Sequence, residues 1–345
     1  MTTLPERITS AGELDETLSE PSDALVDMMK RLPGDIAILG IAGKMGLTLG
    51  RRAVNAVRRA GVAKRVFGVS RFSSPADRER LESWGVETVV CDLLDRDAVS
   101  RLPDAANVVF MAGRKFGTAG SEDLTWAMNT LVPGNVAWRY PASRIVAFST
   151  GCVYPFRRAA EGGCTEDDPP APVGEYAQSC LGRERIFQHA AQARGTPTLL
   201  FRLNYAIDLR YGVLHDLAQQ IRDGQPVRDT VGFFNAVWQG DANDWALRAL
   251  ELAAAPAAVL NATGPETISV RRAAAEMARH MGMPVRFADA FRDAAYLADA
   301  GKLHALMGYP SATLGQMLRW QAEWTRAGGE SLGKKTHFDV NDGQY

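Results

Sequence analysis

Short apolar runs alternate with longer segments of helical spacing between residues 35 and 205. Six runs are predicted to be strands: Ile36–Leu39, Arg65–Val69, Thr88–Val90, Asn107–Met111, Arg144–Phe148 and Thr198–Phe201. Strands that are almost entirely apolar and are separated by helices are typical of a parallel sheet covered by helices on both faces. The fold class is therefore predicted to be α/β, with a doubly wound parallel sheet.

The pattern differs on both sides of this region. Residues 1–34 are predicted to be an N-terminal helical extension, because Pro21-Ser22-Asp23 can begin a helix that Pro33-Gly34 ends. It is expected to pack against the sheet, with a partner-binding arm as the alternative. Residues 206–332 are predicted to be a smaller, mainly helical lobe, and a strand near 258–262 either belongs to it or rejoins the sheet. The polar segment 333–345 is predicted to be a tail.

Four helices are predicted within this lobe, at about 214–222, 242–254, 270–281 and 313–326. Their apolar positions recur at helical spacing, and Gly224 to Pro226 separates the first helix from the second. The lobe is expected to carry the substrate side of a site, with a mixed α/β character if the strand near 258–262 remains in it.

Composition narrows the classes of function. The chain has 345 residues, 23% of them charged, with a formal net charge of -1, so no general attraction to nucleic acid or an anionic membrane is expected. It has no apolar run of the roughly 20 residues needed to span a bilayer, and its N-terminus lacks a signal-peptide layout. Four cysteines without metal-ligand spacing indicate a reduced cytoplasmic compartment and no metal site.

A glycine-rich turn follows the first predicted strand. Gly40, Gly43 and Gly46 are spaced Gly-x-x-Gly-x-x-Gly, with Lys44 and Met45 between the last two, and a helix is predicted from about Leu47. Glycines let a backbone approach a pyrophosphate, and a helix N-terminus offers unpaired N–H groups. Residues 35–205 are therefore predicted to be a dinucleotide-binding domain of the Rossmann type.

The second and third strands bear on the choice of cofactor. An acid at the end of the second strand would favour NAD, whereas Ser70 and Arg71 stand there and favour the 2′-phosphate of NADP, with Lys44 as a second cation. NAD is the alternative, if both cations are ordinary surface residues. Asp92, followed by Leu93, ends the third strand and is predicted either to accept from the adenine amine or to cap a helix.

Further motifs follow in a fixed order. A fourth strand ends in Ala112-Gly113, Asn129 lies on the next helix, the fifth strand ends in Ser149-Thr150-Gly151-Cys152-Val153-Tyr154, and Tyr176-Ala177-Gln178-Ser179-Cys180 opens a later helix. Together they resemble the extended short-chain dehydrogenase/reductase superfamily, which includes nucleotide-sugar epimerases, dehydratases and reductases. The resemblance covers about residues 35 to 325.

The resemblance implies roles for these positions. The three glycines would hold the pyrophosphate, Asp92 the adenine, and the Ala112-Gly113 backbone would lie near the nicotinamide ribose. Thr150 would hydrogen-bond the reacting hydroxyl or carbonyl, and Tyr176 would be the general acid or base. Asn204 lies where sugar-nucleotide enzymes often contact the substrate. Relatives also commonly dimerise through the helices that carry these motifs, so a homodimer is expected.

The sequence departs from the family at Cys180. The family pattern Tyr-x-x-x-Lys puts a lysine one helical turn after the tyrosine, and the residue here is cysteine. That lysine normally favours tyrosinate, and a free tyrosine has a pKa of about 10. Loss of the lysine therefore makes Tyr176 a weaker base. The effect is smaller if Tyr176 acts as an acid in carbonyl reduction, because the protonated form is then the working one.

Three sources for the missing chemistry are considered. Arg114 or Lys115, just after the fourth strand, could supply the charge on the substrate side. Arg183 or Arg185 could supply it from the same helix. Cys180 could itself be a reactive catalytic thiol, or else a small buried residue.

The predicted function is an NADP-preferring oxidoreductase or epimerase that acts on a sugar, a sugar acid or a nucleotide sugar. Dehydration is not expected, because Gly151 and Cys152 replace the acidic pair that dehydratases carry after the catalytic Ser or Thr. The alternative, from another class, is a dinucleotide-binding sensor or regulatory protein without redox turnover. A purely structural α/β domain is a third hypothesis.

Overall fold

The computed structural model describes residues 4–115, 117–288 and 291–340. Its central sheet has seven strands: β1 Ile36–Leu39, β2 Val66–Ser70, β3 Glu87–Val90, β4 Asn107–Phe110, β5 Arg144–Thr150, β6 Thr198–Leu203 and β7 Ala258–Ala262. Their order across the sheet is β7-β6-β5-β4-β1-β2-β3, and all neighbours are parallel. The predicted α/β class with a doubly wound parallel sheet is confirmed.

Helices cover both faces of the sheet and form most of the lobe. They are α1 Ala11–Ser19, α2 Asp23–Arg31, α3 Gly46–Ala60, α4 Pro75–Trp84, α5 Arg96–Ser100, α6 Glu122–Trp126, α7 Val132–Arg139, α8 Gly174–Arg194, α9 Val213–Arg222, α10 Gln239–Arg248, α11 Val270–Met281, α12 Gly301–Met307 and α13 Leu314–Arg326. A π-helical turn at Ala127–Leu131 joins α6 to α7, and 3-10 turns lie at Gly151–Val153, Ala159–Glu161 and Ala249–Leu252.

Three pairs of two-residue strands lie outside the central sheet. They join Arg157–Arg158 to Ala294–Ala295, Ala206–Ile207 to Val237–Trp238, and Phe233–Phe234 to Ile268–Ser269. Each pair ties a segment of the lobe to a loop that follows a strand of the sheet or to another part of the lobe.

The apolar strands serve two cores at once. In β1, Ile36 and Ile38 face the core under α2, α3 and α10, while Ala37 and Leu39 face the core under α5, α7 and α8. All four residues are buried because successive side chains of a strand point to opposite faces. This is why the sequence of the strand is apolar throughout rather than alternating.

The N-terminal extension contains two helices. The predicted helix α2 begins after Ser22, whose hydroxyl accepts from the Leu25 N–H at 3.1 Å. The additional helix α1 packs Leu14 and Leu18 into the core of the lobe. Because α2 packs in the sheet core and α1 in the lobe core, the extension contacts both parts of the molecule.

One helix of the lobe differs from the expectation, and the strand near 258–262 rejoins the sheet, which was one of the two alternatives. Helix α10 begins at Gln239 instead of 242 and ends at Arg248, where a 3-10 turn takes over. The first turn of α10 is polar, so the start of the helix has no apolar signal in the sequence. In the fold, the Gln239 amide donates a buried hydrogen bond to the Thr48 hydroxyl. Strand β7 lies beside β6, at the edge of the central sheet.

Residues 333–340 are folded rather than a free polar tail. Phe338 is 3% exposed, and its ring lies 6.5 Å from that of Phe234 in the core of the lobe. Burial of this aromatic side chain helps to hold an otherwise polar segment on the lobe. The remaining residues of the predicted tail, 341–345, lie outside the described ranges.

Candidate active site

The glycine turn lies where β1 and β4 end side by side. Gly40 has φ of +90°, and a Cβ placed on it would come within 2.6 Å of the Ala112 backbone nitrogen. A Cβ on Gly46 would collide with the Ile41 carbonyl, and α3 begins at that glycine. The turn therefore needs glycine at both positions, and it places a helix N-terminus at the crevice where α/β sheets bind ligands.

Two adjoining cavities open on this turn. The smaller has a volume of about 250 Å³ and the larger about 670 Å³. Both are lined by Gly40, Gly43, Met111 and Gly113, so they form one continuous groove over the strand ends. The sequence-predicted cofactor residues are divided between the two.

The smaller cavity collects the residues predicted for the adenosine end. Ser70, Arg71, Asp92 and Leu93 line it, together with Ala112. Met128, from the π-helical turn, lines it as well, and no sequence signal pointed to that residue. The cavity thus brings together side chains from the ends of β2, β3 and β4.

Asp92 does not cap the helix that follows it. Helix α5 begins at Arg96, and Asp95 caps it by accepting from two backbone N–H groups. Asp92 accepts from the Leu94 N–H at 3.0 Å and lines the cavity. The helix-cap alternative is therefore wrong, and Asp92 faces the region assigned to the adenine.

The larger cavity brings the predicted catalytic residues to the glycine turn. Thr150 ends β5, and its hydroxyl accepts from the Cys152 N–H at 3.1 Å. Tyr176 lies in the first turn of α8. Both line the cavity together with Gly43, Lys44, Met45 and Gly46. Residues that are more than a hundred positions apart in sequence therefore face one space.

Tyr176 is held in its protonated form. Burial raises its pKa well above 10, and the neighbouring Cys180 and Cys152 thiols raise it further, whereas the charge of Arg183 lowers it. A buried phenol loses the solvation of its anion, which explains the direction of the main effect. At neutral pH the hydroxyl is therefore available as a proton donor.

Cys180 lies behind Tyr176. It is fully buried in a small cluster with Val153, Tyr154 and Cys164, and its side chain hydrogen-bonds Tyr176. Burial raises the pKa of its thiol, which keeps it neutral. Cys180 is also absent from the described walls of both cavities. These features favour packing over the predicted catalytic role.

Of the four cations considered from the sequence, Lys115 faces the tyrosine from across the cavity. Its Nζ lies 5.6 Å from the centre of the Tyr176 ring, and it donates to the Thr336 carbonyl at 3.2 Å. Arg114 instead donates to the Gly117 carbonyl, and Arg185 to the Gln188 side chain. Lys115 is therefore the cation that faces the ring across the cavity, with its own pKa lowered by burial, whereas the charge of Arg183 is the one that lowers the pKa of Tyr176.

Arg183 lies beneath the cavity. Its guanidinium donates to the Phe148 carbonyl at 2.8 Å and to Asn129 Oδ1 at 2.6 Å, and it would clash with a Cβ at Gly113. Asn129 in turn holds the Arg114 backbone through both its N–H and its carbonyl. Arg183 thus positions the loop after β4 and adds positive charge below Tyr176.

Sequence comparison assigns the family. The model of the NAD dependent epimerase/dehydratase family matches residues 36–227, more than half of the chain. This chain belongs to that family. Membership makes it an NAD(P)-dependent enzyme of this family, as the resemblance predicted. No curated protein matches the chain.

Solved structures agree with the fold of this family member. MoeE5 in complex with UDP-glucose and NAD is 22% identical with a TM-score of 0.69, over 86% of this chain and 99% of that one. UDP-glucuronic acid 4-epimerase from Bacillus cereus with NAD is 20% identical with a TM-score of 0.68, over 84% and 96%. The dTDP-glucose 4,6-dehydratase DesIV from Streptomyces venezuelae is 18% identical with a TM-score of 0.71, over 85% and 97%.

Asn204, which was predicted to contact the substrate, makes hydrogen bonds within the protein instead. Asn204 is 3% exposed, and its amide donates to the Tyr296 carbonyl at 3.0 Å and to the Asn235 side chain at 3.4 Å. It is absent from the described lining of either cavity, whereas Leu203 and Tyr205 on each side of it line the larger one. Asn204 therefore ties β6 to the lobe.

Lys44 faces the lobe rather than Arg71. Its Nζ lies 3.3 Å from the centre of the Tyr211 ring, on the wall of the larger cavity. Burial lowers the pKa of Lys44 to about 7, and repulsion by Lys334 and Lys115 lowers it as well. The sequence predicted that Lys44 would act as a second cation beside Arg71. The position of Lys44 at the larger cavity does not support that prediction.

Other residues of the larger cavity have no signal in the sequence. They come from α1, α4, α10, the loop before α9 and the C-terminal segment: Asp15, Arg80, Arg210, Tyr211, Gln239, Leu332, Lys334 and Thr336. Only the fold brings them to the strand ends. Among the described residues there is no His, Cys, Asp and Glu group that could hold a metal ion, and no helix there could cross a membrane.

Proposed function

We propose that this family member is an NAD(P)-dependent oxidoreductase or epimerase that acts on a sugar, a sugar acid or a nucleotide sugar. The observation that carries the proposal is that Thr150 and Tyr176 face the same cavity as the glycine turn. A proton donor and a hydrogen-bonding hydroxyl then lie beside the dinucleotide groove, as hydride transfer at a carbinol or carbonyl carbon requires.

The groove fits a dinucleotide. Its glycines leave room that a Cβ would fill, and a helix N-terminus opens on it. The backbone of the glycine turn would bind the pyrophosphate, Asp92 the adenine amine, and Gly113 would leave space beside the nicotinamide ribose. When bound, the nicotinamide supplies hydride acceptance or donation.

The raised pKa of Tyr176 supports a role as an acid. The phenol donates its proton to the substrate oxygen during carbonyl reduction, and Thr150 holds that oxygen in place. In the opposite direction Tyr176 must first lose its proton, which the positive charge of Arg183 favours. Reduction is therefore the easier direction near neutral pH.

The test is Tyr176→Phe in the full chain. With a panel of sugars, sugar acids and nucleotide sugars, followed through nicotinamide absorbance, we expect at least about a 100-fold loss of turnover, the usual range for a general acid. Dinucleotide affinity should be unchanged, and Tyr309→Phe, an exposed tyrosine elsewhere, should be neutral. Intact turnover in Tyr176→Phe would disprove the proton-transfer role.

The same assay tests the sensor alternative. A regulatory protein would bind dinucleotide tightly while none of the panel changed the nicotinamide absorbance. That result would overturn the enzymatic proposal and leave cofactor binding in place.

We propose NADP as the preferred cofactor. Arg71 is exposed on the wall of the smaller cavity, beside Ser70, and no acid ends β2. A guanidinium can pair with a 2′-phosphate that NAD lacks. Affinities for both cofactors should be compared in the native protein and in Arg71→Ala. Equal loss for NAD and NADP would count against recognition of the 2′-phosphate.

We also propose a cytoplasmic homodimer. The four cysteines are free and buried, in keeping with a reduced compartment. Leu124, Leu131 and Trp138 are exposed and spaced seven residues apart along α6 and α7, next to α8. Leu131→Glu should lower the molar mass measured by light scattering, while Leu306→Glu, exposed on α12, should not. An unchanged mass in both variants would contradict this interface.

A further inference from the structure

The C-terminal segment, residues 330–340, forms one side of the larger cavity. Leu332, Lys334 and Thr336 from this segment line it together with the glycine turn. The backbone N–H of Leu332 donates to the Arg210 carbonyl at 3.0 Å, which fixes the near end of the segment to the lobe. The segment is therefore part of the site.

The middle and far end are anchored as well. The Thr336 N–H and hydroxyl both donate to Asp216 Oδ2, at 2.8 Å and 2.5 Å. Beyond Thr336, Phe338 is buried in the lobe, and the Asp339 carbonyl accepts from the Thr230 hydroxyl at 2.8 Å. Contacts on both sides of residue 334 thus hold its backbone at the cavity.

This arrangement gathers three lysines from distant parts of the chain. Lys44 comes from the glycine turn, Lys115 from the loop after β4, and Lys334 from the C-terminal segment, and all three line the larger cavity. Lys115 and Lys334 are both close enough to repel the ammonium of Lys44. The buried carboxylate of Asp216, which holds Thr336, offsets part of this repulsion.

The two arginines of the cavity wall are paired with carboxylates. Asp15 pairs with Arg80 and with Arg210, the latter at 2.9 Å, and Arg210 also pairs with Asp208 at 2.7 Å. Glu330 adds negative charge near both arginines. Both arginines of the wall are therefore committed to carboxylates, and Lys44, Lys115 and Lys334 are the remaining basic side chains of the described wall.

We propose that Lys44, Lys115 and Lys334 together bind an anionic group of the substrate, a carboxylate or a phosphate, close to the carbon on which Tyr176 acts. Lys115 sets this position, because its ammonium lies 5.6 Å from the centre of the Tyr176 ring. Ammonium groups are point-like donors that suit such an anion. The inference rests on the proposed function and narrows its substrate to an acidic sugar or a sugar phosphate.

The test uses the full chain saturated with cofactor, so that the pyrophosphate region of the groove is filled. Calorimetric titration compares D-glucuronate, D-glucose 6-phosphate and inorganic sulfate with neutral D-glucose. Lys334→Gln is the test variant. Lys335→Gln is its matched control, since it removes the same charge from the next residue, which is exposed and outside the described cavity wall.

We expect at least one anion to bind more tightly than D-glucose. Lys334→Gln should weaken that binding about 10- to 100-fold, the usual effect of losing a charge-assisted hydrogen bond, and Lys335→Gln should change it less than about twofold. Lys334→Arg should retain most of the affinity. Tighter D-glucuronate than D-glucose 6-phosphate binding would assign a carboxylate, and the reverse a phosphate.

Three results would overturn the proposal: equal losses in Lys334→Gln and Lys335→Gln, no binding of any of the anions, or D-glucose binding as tight as that of the anions. Cofactor affinity, measured separately in each variant, is expected to stay at the native value. A failure of the dinucleotide site would therefore appear in that measurement and not be mistaken for a failure of the lysine site.

Discussion

Replacing Lys115 with methionine tests whether a cation from across the cavity compensates for Cys180. Methionine keeps the length and the apolar stem of the side chain and removes its charge. The ammonium of Lys115 lies 5.6 Å from the centre of the Tyr176 ring, over which the charge of a tyrosinate is spread. Burial lowers the pKa of Lys115, so the effect belongs to the protonated amine. Removal of that charge should raise the pKa of Tyr176 above its already raised value.

The size of this change follows from the distance. Two unit charges 5.6 Å apart interact by about 3 kcal/mol at an effective dielectric constant of about 20, and by about 0.7 kcal/mol at that of water. One pKa unit corresponds to about 1.4 kcal/mol, so the pKa of Tyr176 should rise by about 0.5 to 2 units. Below that pKa the tyrosinate population falls by roughly 3- to 100-fold.

The assay is the pH profile of kcat/KM for alcohol oxidation, with the reverse reduction measured in parallel. In Lys115→Met the profile for oxidation should shift to higher pH, because the base now needs a higher pH to ionise. The kcat/KM for reduction should fall less, because that reaction uses the protonated phenol. The pH profile of Lys115→Arg should lie between those of the native protein and Lys115→Met. An unshifted profile in Lys115→Met would refute the electrostatic argument and leave Arg183 as the compensating charge.

Further predictions concern the glycine turn, the core and the lysine site. Gly46→Ala should lower dinucleotide affinity at least about tenfold, because the added Cβ would collide with the Ile41 backbone. Gly134→Ala, at an open position on α7, should instead stabilise the protein by up to about 1 kcal/mol in thermal melts. Glu184→Gln should lower the free energy of unfolding in urea by about 3–5 kcal/mol, since it leaves the buried Arg202 guanidinium without its carboxylate partner. The pKa of Lys44 is lowered to about 7, so sulfate affinity should fall as the pH rises through that value, and Lys44→Met should remove the dependence. A flat pH profile in the native protein would contradict the last prediction.

The sheet could be read from the sequence because its strands are buried on both faces. Strand β1 is apolar throughout and the buried parts of β2, β4, β5 and β6 are mostly apolar, which gives a strong local signal, whereas β3 at the edge of the sheet is only partly buried. Helix α1 and the polar start of α10 escaped detection. Gln239 looks like a loop residue, and its helical role depends on a buried hydrogen bond to Thr48 that only the fold creates.

In the candidate site, too, the residues with a local sequence motif could be predicted and those placed by the fold could not. Gly40, Thr150 and Tyr176 could be found because each belongs to a local motif at a strand end or a helix start. Lys334 could not, because its presence at the cavity depends on how a distant segment folds back. Asn204 illustrates the opposite error. It stands in a suitable place in the sequence, yet its amide is committed to the lobe.

The position of β7 affects any attempt to divide this protein into fragments. The strand Ala258–Ala262 pairs with residues 199–203 of β6 only after the chain has passed through α9 and α10. A fragment that stops near residue 205 would leave the backbone donors and acceptors of β6 exposed on an apolar edge, which is a template for aggregation. We expect such a fragment to be insoluble, so the nucleotide-binding region should be studied only with the lobe attached.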